Sequence, residues 1–243
     1  MRSMIILAST AALAACNMSA EAHSGDTLAA SGAGNQRTYQ VSGFDGVSLG
    51  GHHNVIVKVG QGHSVRAEGD SEELDRLELR IKEGRLHIGQ KKQNGWSFGH
   101  RPAVTVHVTV PALAKASVGG SGTIQVDQVQ GRSFEASVGG SGDINIGSLR
   151  VQDAAFSVAG SGTIKAAGAA ANARMKIAGS GDIDAAAFEA RSAEVKIAGS
   201  GDARLRATET ANVSIAGSGD VTVDGPAKCS VRKAGSGSLN CGS

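Results

Sequence analysis

The tripeptide Gly-Ser-Gly recurs seven times in the second half of this 243-residue chain and constrains its fold more than any other feature. The central serines are Ser121, Ser141, Ser161, Ser180, Ser200, Ser218 and Ser236. Their spacings are 20, 20, 19, 20, 18 and 18 residues. A unit this short cannot bury a core by itself, so successive repeats must stack on one another.

The residues around each serine alternate between apolar and polar, as in strands with one buried face. The position three residues before the serine holds Val118, Val138, Val158, Ile177, Ile197, Ile215 and then Lys233. Such like-with-like columns are typical of parallel, in-register stacking at about 4.8 Å per coil. We therefore predict an all-β fold, a parallel β-helix of about seven coils. It should be right-handed, because parallel crossovers prefer that hand.

The glycines permit sharp corners, and the serines between them should face outward. Seven equivalent serines without a histidine in the repeat region indicate a structural ladder and no nucleophile. Residues 38–113 carry strands without these corners and should cap the N-terminal end of the coil, since exposed edges invite aggregation. Gly50-Gly51 looks like a decayed first corner. The domain is thus expected to span residues 38–243, with regular coils from 114 onward.

The first 15 residues have the character of a signal peptide, with Arg2 followed by an apolar run that is too short to cross a bilayer. Leu13-Ala14-Ala15-Cys16 resembles a bacterial lipobox, which predicts lipidation of Cys16; the alternative is an ordinary signal peptide. By the sorting rules of such lipoproteins, Asn17 favours the outer membrane. Residues 16–37 are rich in Ser, Ala and Gly and are expected to form a flexible tether.

The charges and the remaining cysteines limit the partners further. With 24 basic and 22 acidic residues, the chain has no charge excess that would predict nucleic-acid binding. An oxidising envelope compartment permits Cys229 and Cys241 to pair, and we predict a disulfide that stabilises the last coil. No cofactor is expected.

Several of these motifs resemble the bacterial head GIN domain, a family labelled as an auto-transporter adhesin. The resemblance rests on Phe44-Asp45-Gly46-Val47, on Pro111-Ala112-Leu113 and on the Gly-Ser-Gly-Asp-Ile coils, and it covers nearly all of residues 38–243. It implies a β-helical envelope protein, often a lipoprotein, with no established catalytic residues.

Two groups of residues are candidate sites. Asp182, Asp202 and Asp220 directly follow consecutive corners, and their stacked carboxylates could bind calcium weakly, although water and nearby cations also account for them. The other group is a basic loop containing Trp96, Phe98 and Arg101. It could recognise a partner, or its rings could fold back over the coil. The histidines, including His52 and His53, show no metal-ligand spacing and are expected at surfaces or edges.

We therefore expect a non-enzymatic envelope lipoprotein, held to the membrane by its N-terminal lipid, whose rigid surface contacts a polysaccharide or another envelope protein. One alternative is a structural scaffold that self-associates through its coil ends or flat sides. Another is a β-helical polysaccharide-active enzyme, which would need paired carboxylates in a groove. The aspartate column repeats like a structural feature, and no long loop interrupts the coils to wall such a groove.

Overall fold

The computed structural model describes residues 27–91 and 102–242 of the chain, and most of these residues lie in β-strands. The one helix among them is α1, Ser71–Arg76, which Asp70 caps by accepting hydrogen bonds from the backbone N–H groups of Glu72 and Glu73. The strands of the first half are β1 (Ala30–Ser31), β2 (Gln36–Tyr39), β3 (Gly46–Gly51), β4 (Asn54–Val59), β5 (Ser64–Glu68), β6 (Leu77–Lys82), β7 (Arg85–Gln90) and β8 (Thr105–Val110).

The described residues of the second half contain nine strands, and the five between Thr123 and Gly217 run nearly from one corner to the next. The nine strands are β9 (Lys115–Gly120), β10 (Thr123–Gly140), β11 (Asp143–Gly160), β12 (Thr163–Gly179), β13 (Asp182–Gly199), β14 (Ala203–Gly217), β15 (Val221–Asp224), β16 (Lys228–Ala234) and β17 (Leu239–Cys241). Each pairs in parallel with its neighbours, and like residues lie opposite each other, as Ile144 does with Ile164. The predicted parallel β-helix is confirmed as a solenoid of about six turns.

The interior of the solenoid is filled by the predicted inward columns. Val118, Val158 and Ile197 are all at most 3% exposed, like the other apolar members of their column. Three phenylalanines, Phe134, Phe156 and Phe188, are also completely enclosed. The rings of Phe156 and Phe188 meet edge to face with centroids 5.5 Å apart, a favourable aromatic geometry. Gly168 lies opposite Phe188 in the adjoining coil, and a methyl group on it would collide with the backbone of Leu149 in the coil before.

The first half completes the stack with an earlier corner. Gly50 and Gly51 lie opposite Gly119 and Gly120, so β3 and β4 form a coil that has no Gly-Ser-Gly triplet. Beyond this coil the pairing becomes partly antiparallel, between β6 and β7, between β5 and β8, and between β2 and β5. These elements cover the N-terminal end, as predicted for residues 38–113.

The folded part begins earlier than the sequence suggested. Residues 27–37 belonged to the predicted tether, yet Thr27 bridges to Arg80 and the Leu28 N–H donates to the Leu79 carbonyl at 2.8 Å. Leu28 is only 7% exposed, and β1 pairs with β2. The tether prediction is therefore wrong for this stretch. A single buried leucine and edge pairing suffice to order a segment that shows no hydrophobic period.

Candidate functional site

The Gly-Ser-Gly corners form a tightly stacked ladder along one edge of the solenoid. A methyl group placed on Gly201, the last glycine of its triplet, would collide with the backbone carbonyl of Gly181 in the coil before it. The first glycine of the triplet, Gly199, has a φ of 137°, in the region that L side chains rarely adopt. All seven central serines are exposed, and every histidine of the chain precedes the first Gly-Ser-Gly triplet. The ladder therefore supports the structural interpretation of these serines.

The aspartates that follow the corners are held by the backbone of the next coil. Asp182 Oδ1 accepts a hydrogen bond from the Asp202 N–H at 2.9 Å, and Asp202 Oδ1 accepts one from the Asp220 N–H at 2.8 Å. Asp220 in turn accepts from both the N–H and the hydroxyl of Ser238, at 2.8 and 2.7 Å. The Ser238 hydroxyl, followed by its N–H, lowers the pKa of Asp220 below the usual value of 3.8. These hydrogen bonds explain the column without a bound cation.

The described residues offer no other cluster for a metal ion. No group of three or more His, Cys, Asp or Glu side chains within 27–91 and 102–242 has suitable geometry. His52 and His53 do lie side by side, with ring centroids 4.5 Å apart, because they occupy a corner and not a strand.

His53 corrects the expectation that the histidines lie at surfaces or edges. It is completely buried, and its Nδ1 accepts a hydrogen bond from the Val104 N–H at 3.2 Å. Its Nε2 has no hydrogen-bond partner. Burial, followed by the neighbouring His52, lowers the pKa of His53 to about 4, so the ring is neutral at physiological pH. His53 stands where later corners have their last glycine, next to Gly122 of the following coil.

A shallow trough runs along the outer face of the strands that precede the corners and encloses about 590 Å³. Its floor is a column of small residues: Ala159, Ala178, Ala198, Ala216 and Ala234. Its wall is the adjoining outward column: Ser157, Lys176, Lys196, Ser214 and Arg232. In-register pairing places each wall residue directly opposite the next, from β11 to β16. The trough is therefore straight and parallel to the stacking direction.

The charge of the trough is predominantly positive. Lys196 Nζ contacts Glu194 Oε1 at 2.6 Å, and Arg174 lies 3.8 Å from the other oxygen of the same carboxylate. The hydrogen bond and charge of Lys196 lower the pKa of Glu194, which is thus ionised at neutral pH. Lys176 and Arg232 form no ion pair with any described residue. Lys176, Lys196 and Arg174 therefore share the single negative charge of Glu194, and together with Arg232 they leave an excess of positive charge that can attract an external anion.

The same two columns continue toward the N-terminal end of the solenoid. The wall extends through Ser137, Ser117 and Ser48, while the floor extends through the glycines opposite Ala159. They lead to a second concavity of about 640 Å³, whose lining includes His87 and Arg80. His87 Nε2 is enclosed without a hydrogen-bond partner, and burial followed by the charge of Arg85 lowers the pKa of His87. A polar stripe thus spans most of the molecule.

The trough was not predicted, although its signal can be read from the sequence. Each wall residue stands four positions before the corner serine, and each floor residue stands two positions before it. The hydrophobic pattern of the repeats defines only the inward columns, which predict the core.

The other predicted site residues are placed as follows. Cys229 and Cys241 are joined by a disulfide, with Cα atoms 6.4 Å apart, and lie opposite the inward residues Ala211 and Val223 of the preceding coil. Cys16, the expected lipidation site, lies outside the described residues. So do the three members of the proposed recognition loop, Trp96, Phe98 and Arg101.

Comparison with protein families identifies one match. A family model described as "Putative auto-transporter adhesin, head GIN domain" matches residues 43–227. This range includes most of the capping half and all but the last coil. No curated protein sequence matches the chain.

Several solved structures share the fold. A crystal structure described as a putative adhesin from Bacteroides fragilis has a TM-score of 0.77 at 22% identity, and one from Parabacteroides merdae has 0.67 at 20%. A third, from Parabacteroides distasonis, is described as a putative lipid binding protein, with a TM-score of 0.69 at 25% identity. In each case the match covers 85% of this chain and 95% of the solved chain.

Proposed function

Because the chain belongs to the head GIN domain family, we propose that it is a non-enzymatic adhesin of the cell envelope that contacts a glycan through the trough. The observation that carries this proposal is the continuous outward column of hydroxyl and cationic side chains beside a floor of glycine and alanine. Hydroxyls and ammonium groups are hydrogen-bond donors that suit sugar hydroxyls and carboxylates. A floor without bulky side chains lets an extended chain approach the sheet.

The carboxylates near the trough favour binding over catalysis. Glycoside hydrolysis ordinarily needs two carboxyl groups that flank the scissile bond. Among the described residues, the lining of the trough holds no carboxylate, and the adjoining hollow holds one, Glu194, which is engaged by Lys196 and Arg174. In the second concavity, Glu78 is likewise paired with Arg80, at 2.6 Å. Neither location presents the pair that the chemistry requires.

The proposed envelope location rests on the family and on the N-terminal sequence. Adhesins act at the cell surface, and the lipobox-like Leu13-Ala14-Ala15-Cys16 offers a route to a lipid anchor in the outer membrane. Among the described residues no helix is long and apolar enough to cross a membrane. Mass spectrometry of the protein extracted from membranes tests the proposed lipid anchor and should show acylation of Cys16. Recovery in the soluble envelope fraction with a free N-terminus would contradict it.

The trough proposal is tested by filling the floor. Ala198 is exposed at the centre of the floor, so Ala198→Trp would obstruct a ligand without disturbing the core. Ala169→Trp is the matched control, since Ala169 is an exposed strand residue outside the trough. We expect the full chain to bind at least one class of immobilised envelope or host polysaccharide. Ala198→Trp should abolish this binding, and Ala169→Trp should preserve it. Equal binding by all three proteins, or by none, would contradict the proposal.

A second candidate function, a self-associating scaffold, is favoured by one observation. In β16, Val231 continues the inward column of Val213 yet is 49% exposed, because no described strand covers that side of the last coil. Lys233, at the inward position opposite Ile215, opposes burial of the same surface. Concentration-dependent oligomers that dissociate in Val231→Lys would support the scaffold. A monomer at all concentrations would exclude this route of association.

A further inference from the structure

We propose that the ligand of the trough is a linear anionic polysaccharide, bearing carboxylate or sulfate groups, that lies parallel to the solenoid axis and is held by Lys176, Lys196 and Arg232. This inference rests on the proposed glycan-binding function and adds the chemical class and the orientation of the ligand. The positive charge along the wall of the trough, which is complementary to such a ligand, supports it.

The wall column is selectively free of acids. Its members carry hydroxyl or cationic side chains, and no carboxylate occurs among them. They are Ser48, Ser117, Ser137, Ser157, Lys176, Lys196, Ser214 and Arg232. The adjoining outward column differs, because there Lys115 pairs with Glu135 at 2.7 Å and Arg174 with Glu194. If both columns contacted only water, alternating acidic and basic residues would stabilise each of them, because opposite charges attract across neighbouring strands. The wall instead places Lys176 directly opposite Lys196.

Lys176 and Lys196 repel each other across adjoining coils, and the single charge of Glu194 beside Lys196 offsets only part of this repulsion, so an additional anion between them is favourable. The ammonium groups of Lys176 and Lys196 belong to neighbouring coils, about 5 Å apart along the axis. Arg232 follows two coils beyond Lys196, about 10 Å further on. An extended polymer with repeated anionic groups can contact all three cations at once, whereas a small monovalent anion can contact only part of this array.

The shape of the trough favours a polymer over a membrane surface. The cations flank a straight concave strip whose floor is formed by alanine methyl groups, as wide as one outward column. A flat anionic membrane would meet protruding basic side chains and would not enter the strip. The lipid-binding description of the Parabacteroides distasonis structure makes a lipid surface the alternative to exclude by experiment.

The experiment measures binding of the full chain to immobilised polygalacturonate, with dextran as the neutral polysaccharide and with vesicles containing anionic phospholipid. The test variant is Lys176→Gln, Lys196→Gln, Arg232→Gln. The control variant removes the same charge from exposed positions outside the trough, as Lys165→Gln, Arg191→Gln, Arg204→Gln. All six side chains lie on the surface, so both variants should retain the circular dichroism spectrum of the parent.

We expect salt-sensitive binding to polygalacturonate that weakens at least about tenfold in the test variant and less than about twofold in the control. Equal losses in the two variants, or unchanged binding in the test variant, would overturn the inference. So would stronger binding to dextran or to vesicles. The proposed function has a separate outcome, because binding of dextran that Ala198→Trp blocks would leave glycan contact intact while refuting the anionic ligand.

Discussion

Asp182 accepts a hydrogen bond from the backbone N–H of Asp202, 2.9 Å away in the next coil, and the same relationship recurs between Asp202 and Asp220. Each carboxylate therefore satisfies the first N–H after the following corner, much as an N-cap side chain does for a helix. The column that resembled a calcium site in the sequence connects the coils through their backbones.

Replacement of Asp202 by Ala should lower the free energy of unfolding by about 0.5–1.5 kcal/mol, because the Asp220 N–H loses its acceptor. Asp202→Asn retains an oxygen at the same position and should cost less. Urea unfolding followed by circular dichroism measures both values. Calcium and EDTA should leave the midpoint of the parent unchanged. A calcium-dependent rise that disappears in Asp202→Asn would instead establish a cation site.

The corner glycines should be far less tolerant than the serines between them. Gly201→Ala would force a methyl group against the Gly181 carbonyl, and since both groups belong to the backbone, the coils would have to separate. We expect destabilisation of about 2–4 kcal/mol or failure to fold. Ser200→Ala, one residue away, removes only an exposed hydroxyl and should change stability by less than about 0.5 kcal/mol.

Thermal unfolding of both variants provides the comparison. Ser200→Ala should also leave ligand binding unchanged, since the serine ladder lies on the corner and not in the trough. A severe loss of stability in Ser200→Ala with tolerance of Gly201→Ala would contradict the stacking argument.

The parallel coils could be predicted because every coil repeats the same constraints. Val138 and Val158 meet in register as the spacing of the serines requires, and the corner glycines let the backbones of successive coils approach closely. Period-two alternation with a fixed corner leaves little freedom in such a fold. The family membership was also predicted correctly, since its motifs lie at these same corners and at the junction of the two halves.

The parts that sequence reasoning missed depend on contacts that occur once. Leu28 is ordered by packing and by its bond to Leu79, and neither can be inferred from a segment with one large apolar residue. His53 was expected at a surface or edge, but it occupies a corner between β3 and β4 and is completely buried there. The trough required comparison of outward positions between coils, which contribute nothing to the hydrophobic pattern.

The disulfide should stabilise mainly the last coil. Cys229 and Cys241 close a loop with a sequence separation of 12 and connect β16 to β17, which otherwise pair only with the preceding coil. Cys229→Ala, Cys241→Ala should therefore destabilise this coil by about 2–3 kcal/mol. Amide hydrogen exchange should accelerate in β16 and β17 and remain unchanged in β10 and β11. Alkylation of the native protein before reduction should add no mass at either cysteine; labelling of both would contradict the pairing.

The stability of the whole protein should depend on pH through His53. Its pKa is about 4 in the folded protein and about 6.5 in the unfolded chain, so between these values the unfolded state binds more protons. Stability is therefore complete above pH 6.5 and falls as the pH is lowered toward 4, by up to about 3 kcal/mol. The lowered pKa of His87 acts in the same direction. The pKa of Asp220 lies below 3.8 in the folded protein, so its contribution to stability is lost only as the pH falls below that of the His53 transition.

His53→Asn isolates this effect, because its side-chain oxygen can accept the Val104 N–H in place of Nδ1 without titrating. Urea midpoints measured between pH 4 and 7.5 should fall steeply for the parent and less steeply for His53→Asn. His63→Asn is the control, since His63 lies outside the corner and bonds the Phe44 carbonyl. An identical pH profile for the parent and His53→Asn would show that His53 is not the titrating group. The stability of the parent relative to His53→Asn should instead fall by up to about 3 kcal/mol between pH 6.5 and 4, because the unfolded parent binds a proton that the buried imidazole does not.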